Sequence, residues 1–139
     1  MKQLAVLVML LLPSLISAGQ VPSVCHNELS SWIKAGQTLA IVDIQGAEEF
    51  KEHNYAGALS AGSDPLRLKK IAARLRHTKG KVVVVSATGG ADALQTMEQL
   101  VRGGLTRSRI LLLEGGMEAA AANAVCDCCK PASIGNTSK

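Results

Sequence analysis

Residues 81–92 read Lys-Val-Val-Val-Val-Ser-Ala-Thr-Gly-Gly-Ala-Asp, and this stretch decides the fold class. Its four consecutive valines do not alternate with polar residues, which is typical of a strand buried on both faces in a parallel sheet. A second unbroken run, at residues 110–113, has the same character, and residues 39–44 form a third apolar run. We therefore predict three strands of one sheet.

Segments with helical spacing of apolar residues lie between and around these runs. Helices are predicted over residues 26–34, 47–53 and 117–124, and two more carry apolar stripes. Asp64 is expected to cap the first of these two, with Pro65 in its first turn, and Gly103-Gly104 to end the second. The inward residues are Leu29, Trp32 and Ile33; Leu68, Ile71, Ala72 and Leu75; and Leu94, Met97, Leu100 and Val101. Strands that alternate with helices predict an α/β domain.

The first 18 residues have the pattern of a secretory signal peptide. Lys2 gives a positive start, residues 4–12 are all apolar, and Ala18 offers a small residue at the predicted cleavage site. The apolar run is too short to cross about 30 Å of hydrocarbon comfortably. We expect a signal peptide at residues 1–18, an exported chain that is periplasmic or extracellular, and no transmembrane anchor after cleavage.

Length and composition narrow the classes of partner and cofactor. The 139 residues suffice for one domain, and the formal net charge is +4. With one Trp, one Tyr and one Phe, the chain lacks aromatic platforms on which single-stranded nucleic acid stacks, so no nucleic-acid partner is expected. Gly89-Gly90 lacks the spacing of a phosphate loop or dinucleotide fingerprint, and we assign no cofactor.

Two motifs, taken together with their order and spacing, resemble the rhodanese-like family. In the first, the strand of that family ends Asp-Val-Arg, and Gln45 stands here in place of the arginine. The matching positions are Asp43, Glu49, Phe50, Gly57 and Ala58. The second, at residues 113–119, resembles the family's Leu-x-Gly-Gly element, with Ala120 in place of its tryptophan. The resemblance implies a three-layer α/β fold with a central, mostly parallel sheet flanked by helices, here assigned to residues 19–124.

The loop after the valine strand departs from the family in the residues that carry its chemistry. An active member places a cysteine there, and backbone N–H groups at a helix start lower its pKa and hold a persulfide or an anion. The loop equivalent here comprises Ser86, Ala87, Thr88, Gly89, Gly90, Ala91 and Asp92. The nucleophile position is an alcohol, the basic positions are alanines, and Asp92 is expected to cap the next helix. We predict no ordinary thiosulfate sulfurtransferase activity at this loop and assign no catalytic residue.

The four cysteines lie at the two ends of the predicted domain. Cys25 is near the mature start, and Cys126, Cys128 and Cys129 begin a predicted flexible tail at residues 125–139. A disulfide from Cys25 to one of the three would tie the ends together, and exported proteins keep such bonds. Two alternatives stay open: sulfur transfer or persulfide carriage by the terminal cysteines, and binding of a thiophilic metal ion by the four thiols.

A basic stretch supplies the candidate partner surface. Seven positive side chains and no acid lie within 15 residues: Arg67, Lys69, Lys70, Arg74, Arg76, Lys79 and Lys81. Arg67, Lys70 and Arg74 share one side of the predicted helix, which is either a solvated face or a docking face for an unknown protein partner or anionic membrane. The whole pattern favours an inactive rhodanese homologue, acting as a binding or accessory module, over an enzyme.

Overall fold

The computed structural model describes residues 20–122, so the predicted signal peptide and the predicted tail with its three cysteines lie outside the described residues. Five strands form one sheet in the spatial order β1-β5-β4-β2-β3, and every pair is parallel. The strands are β1 (Ser23–Val24), β2 (Leu39–Asp43), β3 (Leu59–Ser60), β4 (Lys81–Val85) and β5 (Ile110–Leu113). The helices are α1 (His26–Lys34), α2 (Ala47–Glu52), α3 (Pro65–Leu75), α4 (Ala91–Arg102) and α5 (Gly116–Ala121).

Successive valines of β4 face opposite sides of the sheet, which explains why the run does not alternate with polar residues. Val82 and Val84 pack with α3 and α4 on one face, and Val83 and Val85 pack with α1 on the other. All four are completely buried. The sheet is therefore covered on both faces, and the predicted α/β architecture with flanking helices is confirmed.

The predicted cap of α3 is confirmed, whereas α4 departs from its predicted apolar face. Asp64 caps α3 by accepting hydrogen bonds from the N–H groups of Leu66 and Arg67. The prediction that Leu94 faces inward is wrong, because the residue is 39% exposed. The inward face of α4 is rotated toward Ala93 and Thr96, which are buried together with Met97 and Leu100.

Parallel strands place their carboxyl ends at one edge of the sheet, and the loops that follow β2, β4 and β5 meet there. The N–H of Ile44, after β2, donates to the carbonyl of Val85 at 2.8 Å. The N–H of Met117, after β5, donates to the carbonyl of Ser86 at 2.9 Å. This edge carries the loop singled out above. Within residues 20–122, no helix has both the length and the apolar character needed to cross a membrane.

Candidate functional site

Ser86 lies directly after β4, and its side chain is enclosed by the turn that leads into α4. The residue is 1% exposed, and its Oγ accepts a hydrogen bond from the N–H of Gly89 at 2.8 Å. Gly89 has a φ of +72°, and a Cβ there would meet the carbonyl oxygen of Leu113. The glycine is therefore required both by its backbone conformation and by close packing.

The start of α5 holds this loop from the other side. The N–H groups of Met117 and Glu118 donate to the carbonyls of Ser86 and Ala87, at 2.9 and 3.0 Å. Gly116 has a φ of +63°, and a Cβ there would meet the same two carbonyl oxygens. The Gly-Gly element thus supports the loop by letting two backbones approach each other.

The prediction that Asp92 caps α4 is wrong, because the helix begins earlier. Gly90 is the N-cap and makes no side-chain cap, since it has no side chain. Asp92 lies in the first turn, where its Oδ1 accepts a hydrogen bond from the N–H of Ala93 at 2.8 Å. Its carboxylate still lies at the positive pole of the helix, where it opposes the binding of other anions.

No general base reaches the Ser86 hydroxyl from the described part of the chain. Its Oγ accepts a hydrogen bond from a backbone N–H, that of Gly89. His26 bonds to Tyr55, and His77 accepts from Arg76, so both imidazoles are engaged elsewhere. Without a base to take its proton, an alcohol is a poor nucleophile, and it has no sulfur to carry a persulfide. Residues 86–92 also contain no Lys, Arg or His.

Asp43 and Gln45 form a buried polar pair at the end of β2. The Asp43 carboxylate accepts from the Gln45 N–H at 2.9 Å and from the Gln45 Nε2 at 3.1 Å. The same Nε2 is 3.3 Å from the carbonyl oxygen of His53. Burial raises the pKa of Asp43, and the hydrogen bonds from Gln45 oppose that rise. Where the resembled family has an arginine, this carboxylate therefore has a neutral amide beside it.

A cleft of about 510 Å³ lies between α1 and α5 and was not predicted. His26 Nδ1 lies 2.6 Å from the Tyr55 hydroxyl on its wall, and Ile33, Met117 and Ala120 add apolar lining. His26 and Tyr55 are 29 positions apart, so no local spacing joins them. The sequence gives one indirect sign, the small Ala120 at the position of the family's tryptophan.

One of the four cysteines lies within the described residues. Cys25 is completely buried and is the N-cap of α1, while Cys126, Cys128 and Cys129 lie outside the described residues. Within residues 20–122, no group of three or more His, Cys, Asp or Glu side chains is arranged to hold a metal ion.

The three predicted docking residues, Arg67, Lys70 and Arg74, are all exposed on α3. Arg67 Nε lies 3.5 Å from Asp64 Oδ2.

Comparison with known proteins places this geometry in a family. The sequence profile of the rhodanese-like domain matches residues 26–123. No curated protein sequence gives a significant match.

Solved structures show the same fold at low sequence identity. A rhodanese-related protein from Thermoplasma volcanium is 22% identical, with a TM-score of 0.57 over 74% of this chain and 93% of that one. A yeast protein tyrosine phosphatase of the rhodanese family is 18% identical, with a TM-score of 0.58 over 78% and 88%. An As-Sb reductase from Leishmania major is 15% identical, with a TM-score of 0.62 over 74% and 78%. At these identities the likeness extends to the fold alone.

Proposed function

The chain belongs to the rhodanese-like domain family, and from that premise we propose that it is an exported member without ordinary thiosulfate sulfurtransferase activity at its loop. We further propose that it acts as a binding or accessory module. The observation that carries the first part is the buried Ser86 hydroxyl, which accepts the Gly89 N–H. A hydroxyl here fills the loop and forms no persulfide.

Restoring the missing sulfur tests this proposal directly. Purified mature protein is assayed for thiocyanate formation from thiosulfate and cyanide, beside Ser86→Cys and a control, Ser63→Cys, that adds a thiol at an exposed position. We expect no turnover by the unmodified protein and measurable turnover by Ser86→Cys alone, because N–H groups at the start of α4 lower the pKa of a thiol placed there.

Turnover by the unmodified protein would overturn the proposal if it survives replacement of Cys126, Cys128 and Cys129 by serine. Turnover that disappears with those replacements would move the activity to the terminal cysteines and would equally overturn the accessory role. The yeast phosphatase and the Leishmania reductase give two further substrates for the same assay series, an aryl phosphate and arsenate, and we expect neither to be turned over.

The binding role is supported by the charge of α3. Its outward side carries Arg67, Lys70 and Arg74 on one flank and Lys69 on the other, all exposed. Asp64 caps the helix through Oδ1, and its Oδ2 lies 3.5 Å from Arg67 Nε. Leu66, 70% exposed, lies among these cations. The positive charge of Lys69, Lys70 and Arg74 on the helix that carries an exposed leucine favours an acidic protein segment with an apolar side chain as the occupant.

A charge-matched comparison tests this surface. The double variant Lys70→Glu, Arg74→Glu is compared with Lys34→Glu, Lys51→Glu, which changes net charge equally on α1 and α2. The probe is a fluorescent peptide rich in Glu and Leu. We expect the first variant alone to lose about tenfold or more in affinity, and added salt to weaken wild-type binding. Equal losses, or binding only to phosphatidylglycerol vesicles, would contradict a protein partner at α3.

Export and a disulfide at Cys25 are parts of the same proposal. Cys25 is completely buried beside β5, since the neighbouring Val24 pairs with Leu113. Intact mass measured without reductant on protein from its native compartment tests both parts. We expect loss of residues 1–18 and a mass lower by about 2 Da per disulfide. A retained leader, a bound metal, or an added sulfur atom of about 32 Da on free thiols would each contradict it.

A further inference from the structure

A second cleft lies where β2 and β4 begin, at the opposite edge of the sheet from the loop that carries Ser86. Its volume is about 680 Å³, which is in the range of small-molecule sites. Leu39 and Lys81, the first residues of the two strands, pair with each other, and both line the cleft. We call it the basic cleft, because Lys79, Lys81 and Arg109 line it and, within the described residues, no Asp or Glu does.

Arg109 is held in the basic cleft by acceptors that carry no net charge. Its Nε donates to the carbonyl of Gly80 at 2.8 Å, its Nη1 to the carbonyl of Leu75 at 3.3 Å and its Nη2 to the hydroxyl of Thr78 at 3.4 Å. These bonds use three of the five N–H donors of the guanidinium. Within residues 20–122 the side chain forms no ion pair. Its charge is therefore fixed in position but not neutralised.

Lys81 is held in the same cleft by an aromatic ring. Its Nζ lies 5.0 Å from the centroid of the Trp32 ring, a cation–π contact that orders the ammonium group without neutralising it. Lys79 is exposed, and neither lysine forms an ion pair in the described part of the chain. Positive side chains that share a cleft repel one another unless an anion joins them. The arrangement therefore favours a ligand with more than one negative charge.

The uncharged polar lining suits the oxygens of such a ligand. Thr38 and Ser108 add hydroxyl groups and Gln37 adds an amide, all of which can donate hydrogen bonds to phosphate oxygens. A phosphate monoester carries about 1.5 to 2 negative charges at neutral pH. Two phosphate groups therefore match the charge of the three basic side chains better than one does.

We propose that the basic cleft binds a compact polyanion, meaning a small molecule that carries two or more phosphate groups. Arg109 donates its remaining N–H groups to the ligand, and Lys79 and Lys81 add positive charge. This binding role goes beyond the proposed docking of a protein at α3 and does not depend on it, because neither Lys70 nor Arg74 lines the cleft.

The contact between Lys81 and Trp32 supplies the measurement. Trp32 is the one tryptophan of the chain, so an anion that binds Lys81 should change the intrinsic fluorescence. Purified mature protein is titrated with pyrophosphate, and with sulfate and chloride in parallel, at constant ionic strength. We expect a saturable change with pyrophosphate, about tenfold weaker binding of sulfate, which has one oxyanion group, and no change with chloride.

Matched lysine substitutions locate the site. Lys79→Gln should weaken pyrophosphate binding by about tenfold, whereas Lys79→Arg, which keeps the charge, should change it by less than about threefold. Lys51→Gln removes the same charge from an exposed position on α2 and should change the affinity by less than about twofold. Lys81→Gln removes the contact with Trp32, so its expected loss of about tenfold is measured by calorimetry.

Three outcomes would overturn the proposal. No saturable signal with pyrophosphate would show that the cleft is a solvated surface. Equal losses in Lys79→Gln and Lys51→Gln, or equal affinities for sulfate and pyrophosphate, would show attraction by net charge alone. Displacement of pyrophosphate by the peptide rich in Glu and Leu would show that the cleft belongs to a protein-docking surface. Loss of peptide binding at α3 with pyrophosphate binding intact would contradict the proposed docking role alone.

Discussion

Gly89 donates its backbone N–H to the hydroxyl of Ser86 at 2.8 Å, across the turn that joins β4 to α4. In a loop whose N–H groups face a thiolate, that donor stabilises a reactive group. Here it satisfies a buried alcohol. We expect this hydrogen bond to contribute to the stability of the turn.

Ser86→Ala should therefore destabilise the domain. The N–H of Gly89 would lose its acceptor in a partly buried site, which costs about 1–2 kcal/mol. Chemical denaturation followed by circular dichroism measures the change. Ser63→Ala, at an exposed position, is the matched control and should change stability by less than about 0.5 kcal/mol. Equal effects of the two substitutions would show that the Ser86 bond contributes nothing.

Gly116→Ala should be far more damaging than Gly36→Ala, although both glycines have similar left-handed backbones, with φ of +63° and +67°. An alanine costs about 1–2 kcal/mol in either place because of its conformation. At Gly36 a Cβ meets nothing within 4 Å, whereas at Gly116 it meets the carbonyls of Ser86 and Ala87. We expect Gly116→Ala to lose at least about 2 kcal/mol more, as measured by urea denaturation. Similar losses of stability in the two variants would mean that the start of α5 can move away from the loop at little cost.

The stability of Asp43→Asn relative to wild type should rise with pH. Burial raises the pKa of Asp43 in the folded state above 3.8, so folding favours the protonated carboxyl. Wild-type stability from this group is complete below pH 3.8 and falls until the pH passes the raised folded pKa. Asparagine does not ionise and escapes that loss. Unfolding free energies of both proteins at several pH values give the difference, and a difference that does not change with pH would contradict the prediction.

Gln45→Arg should reverse that behaviour by placing a guanidinium beside the Asp43 carboxylate. An adjacent cation lowers the pKa of a carboxyl group, so the ionised form becomes the stable one. In this background Asp43→Asn should destabilise the protein at neutral pH, by about 1–3 kcal/mol of coupling in a double-mutant cycle. Gln45→Met, which adds no charge, is the control. If Asp43→Asn acts alike in both backgrounds, the two side chains are not coupled as the hydrogen bonds indicate.

The elements that sequence alone could locate are those whose signal is local and strong. The bounds of α1 and β4 follow from helical spacing and from the unbroken valines, and Asp64-Pro65 marks the start of α3. Buried side chains dominate these segments, so the spacing of their apolar residues shows which faces are buried. Two-residue edge strands such as Ser23–Val24 give no such pattern, because they are fixed by pairing with distant partners.

The sites were predictable only in part, for the same reason. The absence of a cysteine at position 86 can be read directly from the sequence. The position of Asp92 relative to the start of α4 cannot, because it depends on how far Gly89 and Gly90 extend the turn before the helix begins. The cleft depends on α1, α5 and the segment around Tyr55 coming together, which no spacing encodes. Its one trace in the sequence is Ala120.

The substitution Ala120→Trp tests whether the small side chain at this position leaves the cleft open. An indole at this position should fill the cleft and, in the reduced protein, raise stability by about 1–3 kcal/mol through apolar burial. Urea denaturation in the presence of reductant measures the change. Ala73→Trp, on the exposed side of α3, is the control and should not raise stability. Unchanged or lower stability of Ala120→Trp would show that the indole does not fit the cleft.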